Sequence, residues 1–120
     1  MQEKVNKNTK LIVGVHWAGQ PFDIDAISEI AQNNGIKVVE DAAHALGARY
    51  DGRRVGSHSD FVCFSFQAIK HMTTVDGGSI SCRNPKDSDR IRKLRWFGLD
   101  RRFVGGSRWE QDITECGYKM

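Results

Sequence analysis

The chain has 120 residues, enough for one domain with a real core, and no window approaches the ~18 consecutive apolar residues of a membrane span. Eighteen Lys and Arg against fifteen Asp and Glu give a net charge of +3, an excess that by itself selects neither nucleic acid nor membrane as a partner. Three cysteines with no CxxC spacing suit a reducing cytoplasm, and the polar opening "MQEKVNKNTK" lacks the apolar core of a signal peptide.

After residues 1–10, "LIVGVHW" (11–17) reads as a short strand covered on both faces, and "GQP" turns the chain. Asp23 is placed to cap a helix in which Ile24, Ile27, Ile30 and Ala31 recur at helical spacing, and Gly35 is placed to end it. "IKVVED" (36–41) follows as a second strand. Strand, helix and strand with short links predict a right-handed parallel crossover, hence an α/β fold.

Asp51-Gly52 marks a hairpin. "DFVCFSF" and "GGSISC" are a third and fourth apolar run, and the dozen or so residues between them leave no room for a crossover helix, so the last strand should run antiparallel. "DSDRIRKLRWFG" predicts a second helix with an Asp or Ser cap, apolar Ile91, Leu94 and Phe97, and Gly98 as a stop, which puts Trp96 and Phe97 on the helix as core. From Arg83 to Arg108 nine basic residues face only Asp87, Asp89 and Asp100, a solvated helix face or a positive surface.

Ligands of open α/β sheets gather beyond the carboxyl ends of the strands. Two such ends carry ionisable groups here: "VVEDAAHA" supplies Glu40, Asp41 and His44, and "FSFQAIKH" supplies Ser65 and Lys70. An ammonium among apolar neighbours loses hydration, and its neutral amine can attack a carbonyl. Spacing alone equally allows an exposed loop lysine, a helix-capping Asp41 and a core-edge His44. His16, His58 and His71 show no metal-ligand spacing, and Cys63 reads as packing.

The stretch "VVEDAAHALGARYDGRRVGSHSDFVCFSFQAIKHMTTVDGGSIS" resembles the middle of the DegT/StrS-type pyridoxal-phosphate-dependent sugar aminotransferases, with an ED-x-A-x-A-x-GA motif, then SF-x-x-x-K, then a GG strand. "VHWAGQPFDIDAI", "RWFGLDR" and "ECGYKM" resemble flanking landmarks, so the likeness runs from about Leu11 to the end. The resemblance implies part of the large, mostly parallel-sheet domain of a fold-type-I transferase, with one antiparallel strand after the lysine loop. On that reading residues 11–120 are a partial cofactor-binding domain, cut from a longer protein that also has an N-terminal segment and a small C-terminal domain.

Carried over by position, Lys70 would be the Schiff-base lysine and proton carrier, and Asp41 the partner of the cofactor's ring nitrogen. Ala43 would lie against the ring. His44, where many members carry glutamine, would bond the ring hydroxyl, and Ser65 would bond the phosphate. Glu40 would cap or orient Asp41. Val75 stands where glycine is expected before Asp76, implying a differently shaped turn, and Lys119 stands where many relatives have asparagine.

The resemblance further implies a homodimer with active sites at its interface, an amino-acid donor such as glutamate, and a nucleotide-linked keto sugar as acceptor, whose diphosphate basic residues would suit. No nucleic acid or membrane is implied. Two rivals stand beside this reading. One is a sugar dehydratase of the same family, with His71 at the lysine's place. The other is a basic α/β binding module using the Arg83–Arg108 surface.

Overall fold

A computed structural model describes residues 1–103, 105–107 and 110–119; Arg108, part of the expected basic surface, and Met120 lie outside them. The chain forms two compact units, Met1–Arg83 and Asn84–Met120.

In the first unit, β1 (Leu11–Val15), β2 (Lys37–Asp41), β5 (Phe61–Ser65) and β6 (Gly78–Cys82) form one sheet in the order β1-β2-β5-β6. The first three are parallel and β6 is antiparallel to β5, as the lengths of the connections require. Between β2 and β5, β3 (Arg49–Tyr50) and β4 (Arg53–Arg54) make the expected hairpin. Asp51 and Gly52 both take positive φ, 45° and 72°, the twist that a two-residue hairpin turn needs.

Helix α1 (Ile24–Asn33) starts where the Asp23 side chain accepts a 3.0 Å hydrogen bond from Ala26 N–H and ends before Gly35, whose φ is +63°. Ala31, Ile27 and Ile30 pack with Ile12, Ile36 and Val38, and Val5 from the opening stretch joins them. Ile24 is 1% exposed, a burial worth ~1.5–3 kcal/mol. A second cluster, Ala42, Ala45, Val55 and Val62, lies under the segment that follows β2.

The sheet corrects one expectation. Strand β1 is not covered on both faces: Ile12 is buried, but Leu11, Val13 and Val15 are 47%, 56% and 48% exposed. Helix α1 covers the face that carries Ile12 and Val38, and nothing in this unit seals the other.

In the second unit, α2 (Pro85–Leu94) starts earlier than expected. Asn84 caps it, accepting from Lys86 N–H at 3.0 Å, with Pro85 in the first turn where its missing N–H costs nothing. It also ends earlier, so Trp96 and Phe97 are not helical. Phe97 takes φ 56° and is 47% exposed, while Trp96 carries the Arg101 guanidinium 4.6 Å above its ring. Tyr118 N–H donates to Leu94 O at 2.7 Å, and Lys119 pairs with Trp96 in an isolated bridge. A side chain at Gly117 would collide with the backbone at Gly98 and Leu94.

Among the described residues no helix is long and apolar enough to cross a membrane.

Candidate active site

The carboxyl ends of β1, β2 and β5 bring the candidate residues to one end of the first unit. Alternation along β2 sends Glu40 to the covered face, where it is 0% exposed, and Asp41 to the open one, where it is half-buried. Asp41 stands in register with Cys63 on β5, and Ser65, two residues further on, shares that face. The Cys63 thiol is pushed up by burial first, then by the Asp41 carboxylate and the neighbouring Cys82.

The turn after β2 holds the Asp41 carboxylate. Ala43 N–H donates to Asp41 Oδ1 at 3.0 Å, and Ala42 N–H donates to Cys63 O at 2.8 Å. Among the described residues Asp41 Oδ2 accepts no hydrogen bond, so one oxygen is fixed and the other available. His44 is exposed, with its ring 5.7 Å from that of Trp17 in an edge-on contact.

Ser65 closes β5. Its Oγ accepts from Gln67 N–H at 3.3 Å, which leaves the hydroxyl hydrogen free to donate. The loop that follows is pinned at its base, where Phe66 O accepts from Thr74 N–H at 2.9 Å and Thr73 Oγ1 at 3.0 Å. Lys70 is half-buried at a turn in which its N–H bonds Gln67 O. It lines a pocket of about 250 Å³ together with Ala18, His44, Ile69 and His71. Ile69 is 84% exposed, so this unit does not itself surround the lysine with apolar side chains. Among the described residues the Lys70 ammonium forms no ion pair.

Lys70 and His44 thus share one pocket, while Asp41, Ala43 and Ser65 cluster on the adjoining strand ends and do not line it. His71 is committed elsewhere, its Nε2 donating to Leu46 O at 3.0 Å. A second cavity of about 280 Å³ lies at the amino ends of β2 and β5, by Lys37, His58 and Asp60.

Sequence reading missed two features. One is a buried pair behind Asp41, in which His16 Nε2 lies 2.8 Å from Glu40 Oε2 with both residues 0% exposed. The parity of β2 could have placed Glu40 on the covered face, but nothing in the spacing joined it to His16. The other is the short 3-10 turn Trp17–Gly19, which brings Trp17 and Ala18 to the site.

The basic run is also different from its sequence count. Arg90 pairs with Glu115, and Arg102 pairs with both Asp89 and Asp100 at 3.0 Å, holding the Asp100 carboxyl down to about 2.

A model of the DegT/DnrJ/EryC1/StrS aminotransferase family matches residues 1–120, extending the likeness through the opening stretch. The chain is 40% identical over 123 residues to the uncharacterized protein MJ1066 of Methanocaldococcus jannaschii, covering 99% of this chain and 32% of that one. The sugar aminotransferase CalS13 of Micromonospora echinospora superposes with a TM-score of 0.89 at 33% identity, over 98% of this chain and 33% of that one. PseC of Helicobacter pylori, an aminotransferase involved in the biosynthesis of pseudoaminic acid, also reaches 0.89, at 25% identity over 98% and 31%. The chain therefore spans about a third of the length of these relatives. With its mostly parallel sheet and with the family match running from end to end, the chain belongs to the DegT/DnrJ/EryC1/StrS aminotransferase family.

Proposed function

We propose that the full-length protein is a pyridoxal-phosphate-dependent aminotransferase. It moves an amino group from an amino acid, glutamate being the expected donor, to a keto group of a nucleotide-linked sugar, and it works as a homodimer in the cytoplasm. One observation carries this reading: Asp41 and Ser65 share the open face at adjoining strand ends, and the lysine loop leaves from that same end of β5.

The residues present fit the cofactor. Asp41 offers a carboxylate oxygen with no competing donor among the described residues, Ser65 a hydroxyl hydrogen, and Lys70 an amine outside any ion pair there. When bound, pyridoxal phosphate supplies an aldehyde to carry the amino group and an electron-poor ring that stabilises negative charge at the reacting carbon.

Asp41 Oδ2 would hold the proton on the ring nitrogen of such a cofactor. Ala43 presents a methyl group, small enough for close approach to the ring. His44 would bond the ring hydroxyl, and Ser65 Oγ–H would donate to the phosphate. The Lys70 amine would hold the cofactor covalently and, when free, would serve as the base that carries a proton at the reacting carbon.

Against the dehydratase reading, the His71 Nε2–H is already given to Leu46 O. Against a basic binding module, Arg90 and Arg102 are paired with carboxylates of their own unit.

The test uses the full-length protein. A visible absorbance band should survive dialysis and vanish on borohydride treatment, leaving the cofactor fixed to the peptide that contains Lys70. Attachment at another residue, or a band lost on dialysis, would overturn the assignment.

A further inference from the structure

We propose that His16 and Glu40 are positioning residues, a buried pair on the covered face of the sheet that holds the two sides of the cofactor site at a fixed distance. The proposal rests on the aminotransferase reading above. Neither residue can touch a ligand, since both are 0% exposed, yet each adjoins a part of the site.

Glu40 immediately precedes Asp41 on β2. His16 immediately precedes the Trp17–Gly19 turn, which carries Trp17 to His44 and Ala18 to the Lys70 pocket. The two are joined twice. The side chains meet at 2.8 Å, and the His16 backbone N–H donates to Asp41 O at 3.0 Å, extending the β1–β2 ladder past its last pair.

The imidazole is clamped from its other side, stacked on Phe22 with ring centres 4.6 Å apart and planes 9° from parallel. A side chain at Gly14 would collide with that Phe22 ring, so the glycine gives the stack its room. His16 Nδ1 and Glu40 Oε1 have no partner among the described residues, so the pair bonds only within itself.

Such a pair is a poor source of stability. Two buried polar groups that leave other atoms unsatisfied are often replaced by apolar residues at no cost. What it supplies is direction: a 2.8 Å contact admits little sliding of the Trp17–Gly19 turn against β2, and a shift of about 1 Å in such a site can cost on the order of a hundredfold in rate.

Stability and positioning can be separated in the full-length holoenzyme. In the double variant Glu40→Met/His16→Phe an apolar pair fills the space and can stack on Phe22. The apoprotein should melt close to wild type, while cofactor release quickens by about tenfold and the visible band shifts, as for loss of a supporting shell. Glu40→Gln keeps the hydrogen bond and should release cofactor within about twofold of wild type.

Wild-type release and spectrum in the double variant would reduce the pair to packing and overturn the proposal. Should the double variant not fold, a tenfold faster release from Glu40→Gln would overturn it as well. If wild type binds no pyridoxal phosphate, it is the aminotransferase reading that fails.

Discussion

Asp41 and Cys63 face each other where β2 and β5 end, and the carboxylate adds to burial in pushing the thiol up. Removing the charge should therefore make the thiol easier to ionise while burial still holds it above an ordinary cysteine. In cofactor-free Asp41→Asn, alkylation of Cys63 at mildly alkaline pH should run severalfold faster than in wild type, with exposed Cys116 as the internal reference. Peptide mass spectrometry resolves the two sites, and an unchanged Cys63 rate would show that the carboxylate points away.

The same substitution has a larger expected effect on turnover. Asn at position 41 can accept a hydrogen bond but carries no charge to hold a proton on the ring nitrogen. We expect kcat of the full-length enzyme to fall by at least about a hundredfold. Lys70 should still hold the cofactor covalently. A single-turnover assay together with borohydride trapping separates the two roles, and loss of trapping in Asp41→Asn would contradict them.

Where local chemistry sets local structure, the fold was legible. The Asp23 cap and Ile24–Ala31 spacing gave α1, Asp51-Gly52 gave the hairpin, and the short link after Ser65 gave an antiparallel β6. The start of α2 was misplaced because Asn84-Pro85, just before the Asp or Ser cap expected from the pattern, is an equally good start signal. The open face of β1 was illegible in principle, since a run such as Leu11–Val15 records that both faces suit burial, not which element does the covering. The paired state of Arg90 and the His16–Glu40 contact join residues 25 and 24 positions apart, and no local pattern encodes such meetings. The nearness of Lys70 and His44 was legible in the convergence of strand carboxyl ends, whereas their roles came only through the family resemblance.

Val75 occupies a left-handed backbone position, φ 73°, its N–H bonded to Thr73 Oγ1 at 2.9 Å and its side chain 72% exposed. The turn before Asp76 therefore takes a glycine-type backbone, not the differently shaped one expected from the valine, and imposes it on a β-branched residue. That conformation costs an L-residue roughly 1–2 kcal/mol, against ~0.5–1 kcal/mol of extra chain entropy for glycine. With little apolar burial to lose, Val75→Gly should stabilise the protein by about 0.5–1 kcal/mol. A raised denaturant midpoint at unchanged slope checks it, and a lowered midpoint would mean that the valine side chain packs in the full-length protein.

Asp60 ties the start of β2 to the segment before β5, accepting from Lys37 Nζ at 2.7 Å and from Val38 N–H at 3.3 Å. Burial pushes its carboxyl up, but the Lys37 hydrogen bond, the Val38 N–H and the charges of Lys37 and Arg83 outweigh it and hold the group below its ordinary 3.8. A carboxyl whose folded value is depressed contributes stability above its unfolded value and loses it as pH falls through the folded one. Asp60→Asn should therefore cost at most about 1 kcal/mol at neutral pH, given its partial exposure. The gap between variant and wild type should close below pH 3.8. Denaturant titrations at neutral and acid pH test this, and a gap that widened in acid would refute it.

On the open face of the sheet Leu11, Val13, Val15 and Ile80 are all more than a third exposed. In β1 the three alternate with buried Ile12 and half-buried Gly14, and both edge strands pair well with their neighbours, so the backbone ladder is complete while one layer of side chains has no partner in this unit. A patch of that kind promotes association, and β1 and β6, at the two edges of the sheet, add unpaired backbone groups. The 120 residues expressed alone should therefore be poorly stable, self-associate with rising concentration, and show no transamination. Sedimentation and an amino-transfer assay on the isolated chain decide the matter: a well-behaved monomer with robust turnover would mean that the exposed layer needs no cover and that the candidate residues suffice by themselves.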